Sequence, residues 1–162
     1  MTLQVRAWVG LGANLGDPRS TLAAAFDALA ALPGTRLVAR SSLWRSSPID
    51  AQGPDFLNAV AALDTSLAAH DLLAALQGIE AAHGRERPYR HAPRTLDLDL
   101  LLHGDALLHT SALTLPHPRL HLRGFVLEPL AELAPALILP GLGPLALWRT
   151  AAAGQAVERL AD

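Results

Sequence analysis

The chain has no cysteine and no lysine among its 162 residues. Without cysteine there is no disulfide framework and no thiolate zinc site, and a reducing compartment is compatible. Without lysine there is nothing to serve a G-x-x-x-x-G-K-[ST] phosphate loop, and no such motif occurs. Long hydrophobic runs are missing as well. No window reaches the about 18 apolar residues of a membrane span, and the start "MTLQVRAWVGLG" carries no basic segment ahead of a long apolar core. A soluble, cytoplasmic protein with no membrane partner is expected. Nor is there a basic excess: the formal net charge is −2, which argues against broad binding to a nucleic-acid backbone.

What is present is apolar. The composition is 51% hydrophobic and 17% charged, that of a folded globular chain, and the length fits one domain over residues 1–162. All 13 basic residues are arginine, the side chain that grips phosphate bidentately without risk of deprotonation.

Apolar periodicity alternates between strand and helix periods along the chain. Residues 4–11 read as a first strand, and "GANLGDPRS" as a glycine-rich turn in which Asp17 caps a helix with Pro18 at its first position. Leu22, Phe26 and Leu29 share one face of that helix, which stops at "LPG". Residues 35–45 read as a second strand, "SSPIDAQGPD" as a long loop and "FLNAVAALDT" as a third strand. A second helix is expected from about His70 to His83, with Leu72, Leu76, Ile79 and His83 on one stripe. "LDLDLLLHG" reads as a fourth strand, "GFVLEPLAELAP" as a short helix, and the tail from Leu145 as another. The order βαββαβ with extra C-terminal helices predicts an α+β, ferredoxin-like sandwich: an antiparallel sheet with helices on one face and the other open to ligands.

The chemistry concentrates in "RERPYRHAPRTLDLDLLLHG", residues 85–104. Strand alternation puts Asp97 and Asp99 on one face, roughly 7 Å apart, and Leu96, Leu98 and Leu100 on the other. Aspartate is a poor strand former, and a solvated face would be better served by Thr or Lys. A like-charged pair in a cleft takes up a proton or a cation, and Mg²⁺ prefers such sparse carboxylate sites, completed by waters and phosphates. Taken alone, D-x-D on a strand divides evenly between a metal site and a solvated face. Arg85, Arg87, Arg90 and Arg94 lie within a Pro-bearing loop beside the pair. Arginines opposite a metal pair are the apparatus of phosphoryl transfer, and a loop that closes over phosphates excludes water.

"PRTLDLDLLLHG", "FLNAVAALDTSL", "GLGANLGD" and "PHPRLHLRGFVLEPLAELAP" together resemble the main blocks of the 6-hydroxymethyl-7,8-dihydropterin pyrophosphokinase family, in that family's order and spacing, over roughly residues 3–140. The resemblance implies a transferase of folate biosynthesis that moves pyrophosphate from ATP to the pterin hydroxymethyl, releasing AMP, with two Mg²⁺ ions. It implies that Asp97 and Asp99 hold the metal and that Arg85 and Arg94 act in catalysis. It further implies ATP contacts at Leu73, Gln77, Glu80, Arg87, Leu100, Thr114, His117 and Arg123. The pterin would meet Ser46, Ser47, Ile49, Phe56, Asn58 and Phe125: two aromatic faces, an amide for the ring's polar edge, and a loop lining the pocket. Outside that context Phe56 and Phe125 are as readily core residues, Glu80 a solvent edge of its helix, and His117 a structural histidine. The chain departs from many members at His91 and Ala92, where an aromatic and a glycine precede the Pro-Arg pair.

Two other classes are weighed. An RNA-binding sheet requires a stacking aromatic pair in an RNP-like strand and a basic face, neither of which is evident. A metal-dependent hydrolase would use His91, His103, His117 and His121 with the aspartates, but those histidines lack the i, i+4 spacing of a helical zinc site. The expected partners are small-molecule substrates. A monomer is the expectation, a homodimer the alternative.

Overall fold

Strand β1 (Val5–Ala13) sets the architecture through its alternation. Ala7, Val9, Leu11 and Ala13 are buried on one face, while Trp8, Gly10 and Gly12 belong to the other. In the computed structural model, which describes residues 3–14, 16–47, 55–83 and 96–160, β1 lies between β4 (Phe56–Thr65) and β5 (Asp97–His103). Both neighbours run antiparallel to it. The first helix, α1 (Pro18–Ala30), starts as expected: Asp17 accepts the Ser20 N–H at 3.3 Å, and Pro18 occupies the first turn. It leads to β2 (Thr35–Arg40) and β3 (Trp44–Ser46), which pair in succession along the free edge of β4. Helix α2 (Ala69–Ala82) returns the chain to β5. Among the described residues the sheet has six strands, in the order β10-β3-β4-β1-β5 with β2 also on β4, β10 being a strand of the tail (Val157–Arg159). Its βαββαβ core is the ferredoxin-like α+β arrangement.

On one face α1 and α2 cover a core built from Leu22, Phe26, Leu29, Leu72, Leu76 and Ile79 over Val9, Leu11, Leu63, Leu98 and Leu100. The other face is not left wholly open, contrary to the expectation from sequence. Past β6 (Leu108–His109), β7 (Thr114–Leu115) and a 3₁₀ turn at Leu120–Leu122 comes α3 (Gly124–Leu133). Val126, Leu127 and Leu130 of α3 pack on Trp8, Val60, Ala62, Leu101 and Leu102, with Leu145 of α4 (Leu145–Ala151) joining after the small β8–β9 pair (Ile138–Leu139, Gly143–Pro144). The physical reason is that this half of the face is apolar and has to leave water. The near-continuous apolar run of β4 carries the same message, because a strand apolar on both faces is covered on both.

Three boundaries also differ. The run 35–45 is broken at 41–43, where Ser41 breaks the pairing and its Oγ accepts the Val60 N–H at 2.9 Å. Gly12 and Ala13 continue β1 rather than starting the turn. A bulge in β5 opposite Trp8 and Val9 lets Leu101 and Leu102 both face α3.

If α3 seals the second face as described, Leu130→Ala removes a side chain with 0% exposure and costs about 2–5 kcal/mol. Urea denaturation of the variant, with the circular dichroism of the folded state unchanged, checks this.

Candidate active site

The open half of the second face is floored by three strands in register. Gly12 is paired with Asn58 of β4 on one side and with Asp97 of β5 on the other. One step along, Gly10 is paired with Val60 and Asp99. Each row therefore runs side chain, glycine, carboxylate, and neighbouring strands lie about 4.8 Å apart. The glycines leave the middle of the floor bare, so a ligand can approach the backbone of β1. A cavity of about 250 Å³ results, lined by Gly10, Gly12, Ser46, Ser47, Phe56, Asn58, Asp97, Asp99, Arg123 and Phe125.

The structure thus brings together residues drawn from β3, β4, β5 and α3. Phe56 rises from β4, and Phe125 enters from the first turn of α3, with the Arg123 guanidinium 5.5 Å from its ring centroid. Asn58 is 4% exposed, and its Nδ2 donates both to Ser46 Oγ at 2.8 Å and to the Trp44 carbonyl at 3.2 Å. Both amide hydrogens are thereby used. Its Oδ1 lies beside Gly12, 3.5 Å from where a Cβ there would sit, so the cavity receives an acceptor.

His117 stands beside the carboxylates, its Nε2 3.9 Å from Asp99 Oδ1. The Arg119 N–H donates to His117 Nδ1 at 3.2 Å, which leaves the ring proton on Nε2, the nitrogen nearer Asp99. Burial holds the His117 pKa below the ordinary value; Asp99 opposes this, while Arg123 and Arg119 add to it. The segment is pinned by the His117 N–H, which donates to the Leu101 carbonyl at the β5 bulge at 3.0 Å.

Other predicted contacts lie off the cavity wall. Leu73 packs against the α1–α2 core, and Leu100 is buried within it. Gln77 is exposed on α2, and Thr114 sits in β7 opposite His109. Glu80 is no solvent edge: it is 9% exposed, and its Oε2 accepts the Leu98 N–H at 2.9 Å. That bond fixes β5 between the two aspartates. Arg85, Arg87, Arg94 and Ile49, with Arg90, His91 and Ala92, lie outside the described residues.

Two carboxylates on one strand face, opening on a cavity, suit a hard divalent ion that keeps waters and takes phosphate oxygens. Among the described residues no group of three or more His, Asp or Glu forms a metal cage. The zinc-hydrolase alternative fares worse. His103 Nε2 donates to the Leu67 carbonyl at 2.8 Å, and His121 stacks edge-on against Trp148 with centroids 4.7 Å apart, so neither converges on the aspartates.

Two contributors escaped the sequence reading. Gly10 is expected from sequence only as part of the first strand and Gly12 only as part of the turn, neither as the floor of a site. Glu132 of α3 binds the break between β2 and β3, accepting from the Ser42 N–H at 3.0 Å, Ser42 Oγ at 2.9 Å and Trp44 Nε1 at 2.9 Å. It thereby anchors the strand whose Trp44 carbonyl and Ser46 hydroxyl orient Asn58.

A family model described as 7,8-dihydro-6-hydroxymethylpterin-pyrophosphokinase (HPPK) matches residues 8–135, which contain every described residue of the cavity. The chain belongs to this family. It is 51% identical over 156 residues to the 2-amino-4-hydroxy-6-hydroxymethyldihydropteridine pyrophosphokinase of Pseudomonas aeruginosa, covering 96% of each chain. To the enzyme of the same name from Methylorubrum extorquens it is 47% identical over 137 residues, covering 84% of this chain and 87% of the relative. A crystal structure of Plasmodium falciparum HPPK-DHPS superposes with a TM-score of 0.77 at 13% identity, over 93% of this chain and 46% of that one, a likeness of fold. Among the described residues, no helix of this pterin pyrophosphokinase is long and apolar enough to cross a membrane.

The Glu132 anchor carries a pH signature. Partial burial pushes its carboxyl up, but the bonds from Ser42 and Trp44, with Arg159 nearby, outweigh this and hold it below the ordinary value of 4.5. A depressed carboxylate contributes stability that is present above the unfolded value and lost as pH falls through the folded one. In urea denaturation between pH 7 and pH 3, Glu132→Gln should be the less stable protein at neutral pH. The gap should close as acid protonates Glu132 in the parent.

Proposed function

We propose that ATP is the pyrophosphoryl donor and Mg²⁺ the metal in the transfer to 6-hydroxymethyl-7,8-dihydropterin that this transferase family performs in folate biosynthesis. One observation carries the reading. The row Asn58–Gly12–Asp97 sets an amide, a bare floor and a carboxylate in line across three strands, in a cavity that Phe56 and Phe125 also line.

The pterin ring lies between Phe56 and Phe125, whose faces suit a flat heteroaromatic. Asn58 presents Oδ1, its amide hydrogens being held by Ser46 and Trp44. The ring edge that meets it is therefore a donor edge. Ser47 lines the same cavity, and Ile49, outside the described residues, is assigned to the pterin by the family motif. The hydroxymethyl group points along the floor toward Asp97 and Asp99.

Those aspartates would hold two Mg²⁺ ions, which would supply charge neutralisation for the triphosphate. Arg123 and the Nε2–H of His117 reach the phosphates from the α3 side; Arg85, Arg87 and Arg94, outside the described residues, are assigned to the phosphates by the family motif. Gln77, Thr114 and Leu73 border the nucleoside. Leu100 takes part through its backbone, since its side chain is in the core. Leu98 turns its N–H away from β1 toward Glu80, and by the same alternation Leu100 presents its peptide groups on that outer edge. The hydroxyl oxygen attacks the β-phosphorus in line and gives up its proton to water, the bond from that phosphorus to the bridging α-phosphate oxygen breaks, and AMP departs with that oxygen. Positioning and charge neutralisation supply most of the catalysis. All these residues come from one chain, so a monomer suffices.

AMP formation from ATP and Mg²⁺, measured with and without the pterin, tests the reading. Pterin-dependent AMP is expected from the parent protein and its loss from Asp97→Asn and Asp99→Asn. Near-normal turnover in either variant would remove the metal assignment. Arg85→Ala and Arg94→Ala should bind pterin normally and lose on the order of 10²-fold in turnover.

A further inference from the structure

The last strand of the chain touches the site from outside the segment that defines the family. The family match ends at residue 135. Beyond it, β10 pairs with β3, placing Val157 opposite Ser46 and Arg159 opposite Trp44. Leu160 continues the contact, its N–H donating to the Leu43 carbonyl at 2.9 Å. Just before β10, Gln155 reaches across to the start of α3. Its Oε1 accepts the Gly124 N–H at 2.8 Å, and its Nε2 donates to the Leu122 carbonyl at 2.8 Å.

These two bonds flank a single residue, Arg123. A helix start leaves its first N–H groups without partners inside the helix, and no side chain of α3's own N-cap fills that role here. Gln155 supplies the partner from 31 residues away and holds the carbonyl on the other side of Arg123 as well. The fit is close. A Cβ on Gly124 would lie 3.2 Å from both Gln155 Oε1 and Val157 Cγ2, so glycine is what lets the tail approach. Arg123 and Phe125 are one wall of the cavity, and Ser46, held by β10, belongs to the other.

We infer that Gln155 is a positioning residue for the active site, setting Arg123 and Phe125 through the peptide groups on either side of Arg123, with β10 tying that setting to the β3 wall. The inference rests on the pterin pyrophosphokinase reading. It adds a residue that touches neither substrate and assigns a role to the C-terminal strand. Preorganised groups lower the ordering cost of binding and of the transition state, so loosening them shows in kinetics before it shows in the fold.

The test compares Gln155→Ala, Gln155→Glu, Arg123→Ala and the double variant Arg123→Ala/Gln155→Ala, all in the full chain. Steady-state kinetics for both substrates are measured with pterin affinity and urea stability. Two neutral hydrogen bonds are lost in Gln155→Ala, and kcat/KM is expected to fall about tenfold at temperatures where the variant is fully folded. Gln155→Glu keeps the acceptor for Gly124 and loses the donor for Leu122, so it should fall about threefold. In the Arg123→Ala background Gln155→Ala should cost clearly less than the about tenfold seen in the parent, the remainder acting through Phe125, the non-additivity expected of a residue acting through others. A tail that served stability alone would lower the urea midpoint and leave kcat and KM at parent values, and that result overturns the inference. So would full additivity in the double variant. Should Gln155→Ala fail to fold, Gln155→Glu decides: parent kinetics in it overturn the inference. A parent protein that neither binds the pterin nor forms pterin-dependent AMP would remove the functional reading itself, a result distinct from an active parent indifferent to Gln155.

Discussion

The second face of the sheet is half apolar and half bare, and the rest of the molecule follows from where that division falls. Along β1 the side chains on this face are Trp8, then Gly10, then Gly12. Trp8, with Val60 and Leu101, has to be covered, and α3 covers it. Gly10 and Gly12 offer nothing to cover. A helix packed over them would leave a void, and voids are costly in a close-packed interior. Helix α3 therefore stops short, and its first turn overhangs the bare floor with Arg123 and Phe125. At its far end Glu132 grips the break between β2 and β3. One helix of 10 residues thus seals a core, roofs a cavity and anchors the strand opposite.

The parts of this arrangement that were legible in the sequence are those decided by local periodicity. Alternation alone put Asp97 and Asp99 on one face and Leu98 and Leu100 in the core, because the period of a strand does not depend on its neighbours. Asp17 and Pro18 likewise announced α1 from chemistry confined to four residues. The parts that were not legible depend on residues far away in sequence. Gly10 looks like an ordinary strand position and Gly12 like a turn residue until β4 and β5 are known to flank them. Glu80 looks like a helix edge until β5 brings the Leu98 N–H to it, 18 residues on. The interruption of the second strand needs Glu132, 90 residues distant, to satisfy Ser42. The three-residue β10 has no signal of its own, since its partner Ser46 lies near the other end of the chain. The candidate site residues follow the same division: short motifs single them out, and the interactions that orient Asn58 and His117 are visible only in the fold.

The three carboxylates around β5 show how placement separates support from chemistry. Glu80 is 9% exposed and makes a hydrogen bond to the strand backbone, so its charge is spent on holding β5 in place. Asp99, one residue beyond the N–H that Glu80 accepts, has a side chain 45% exposed. A carboxylate at that exposure keeps most of its hydration, so the fold does not have to bury the charge of Asp99. Had the same two aspartates faced α1 and α2, in place of Leu98 and Leu100, their desolvation would have to be met within the fold, at several kcal/mol per ion. The period of β5 and the two glycines of β1 keep them instead on the open, cavity-lining side of the sheet, where water reaches them.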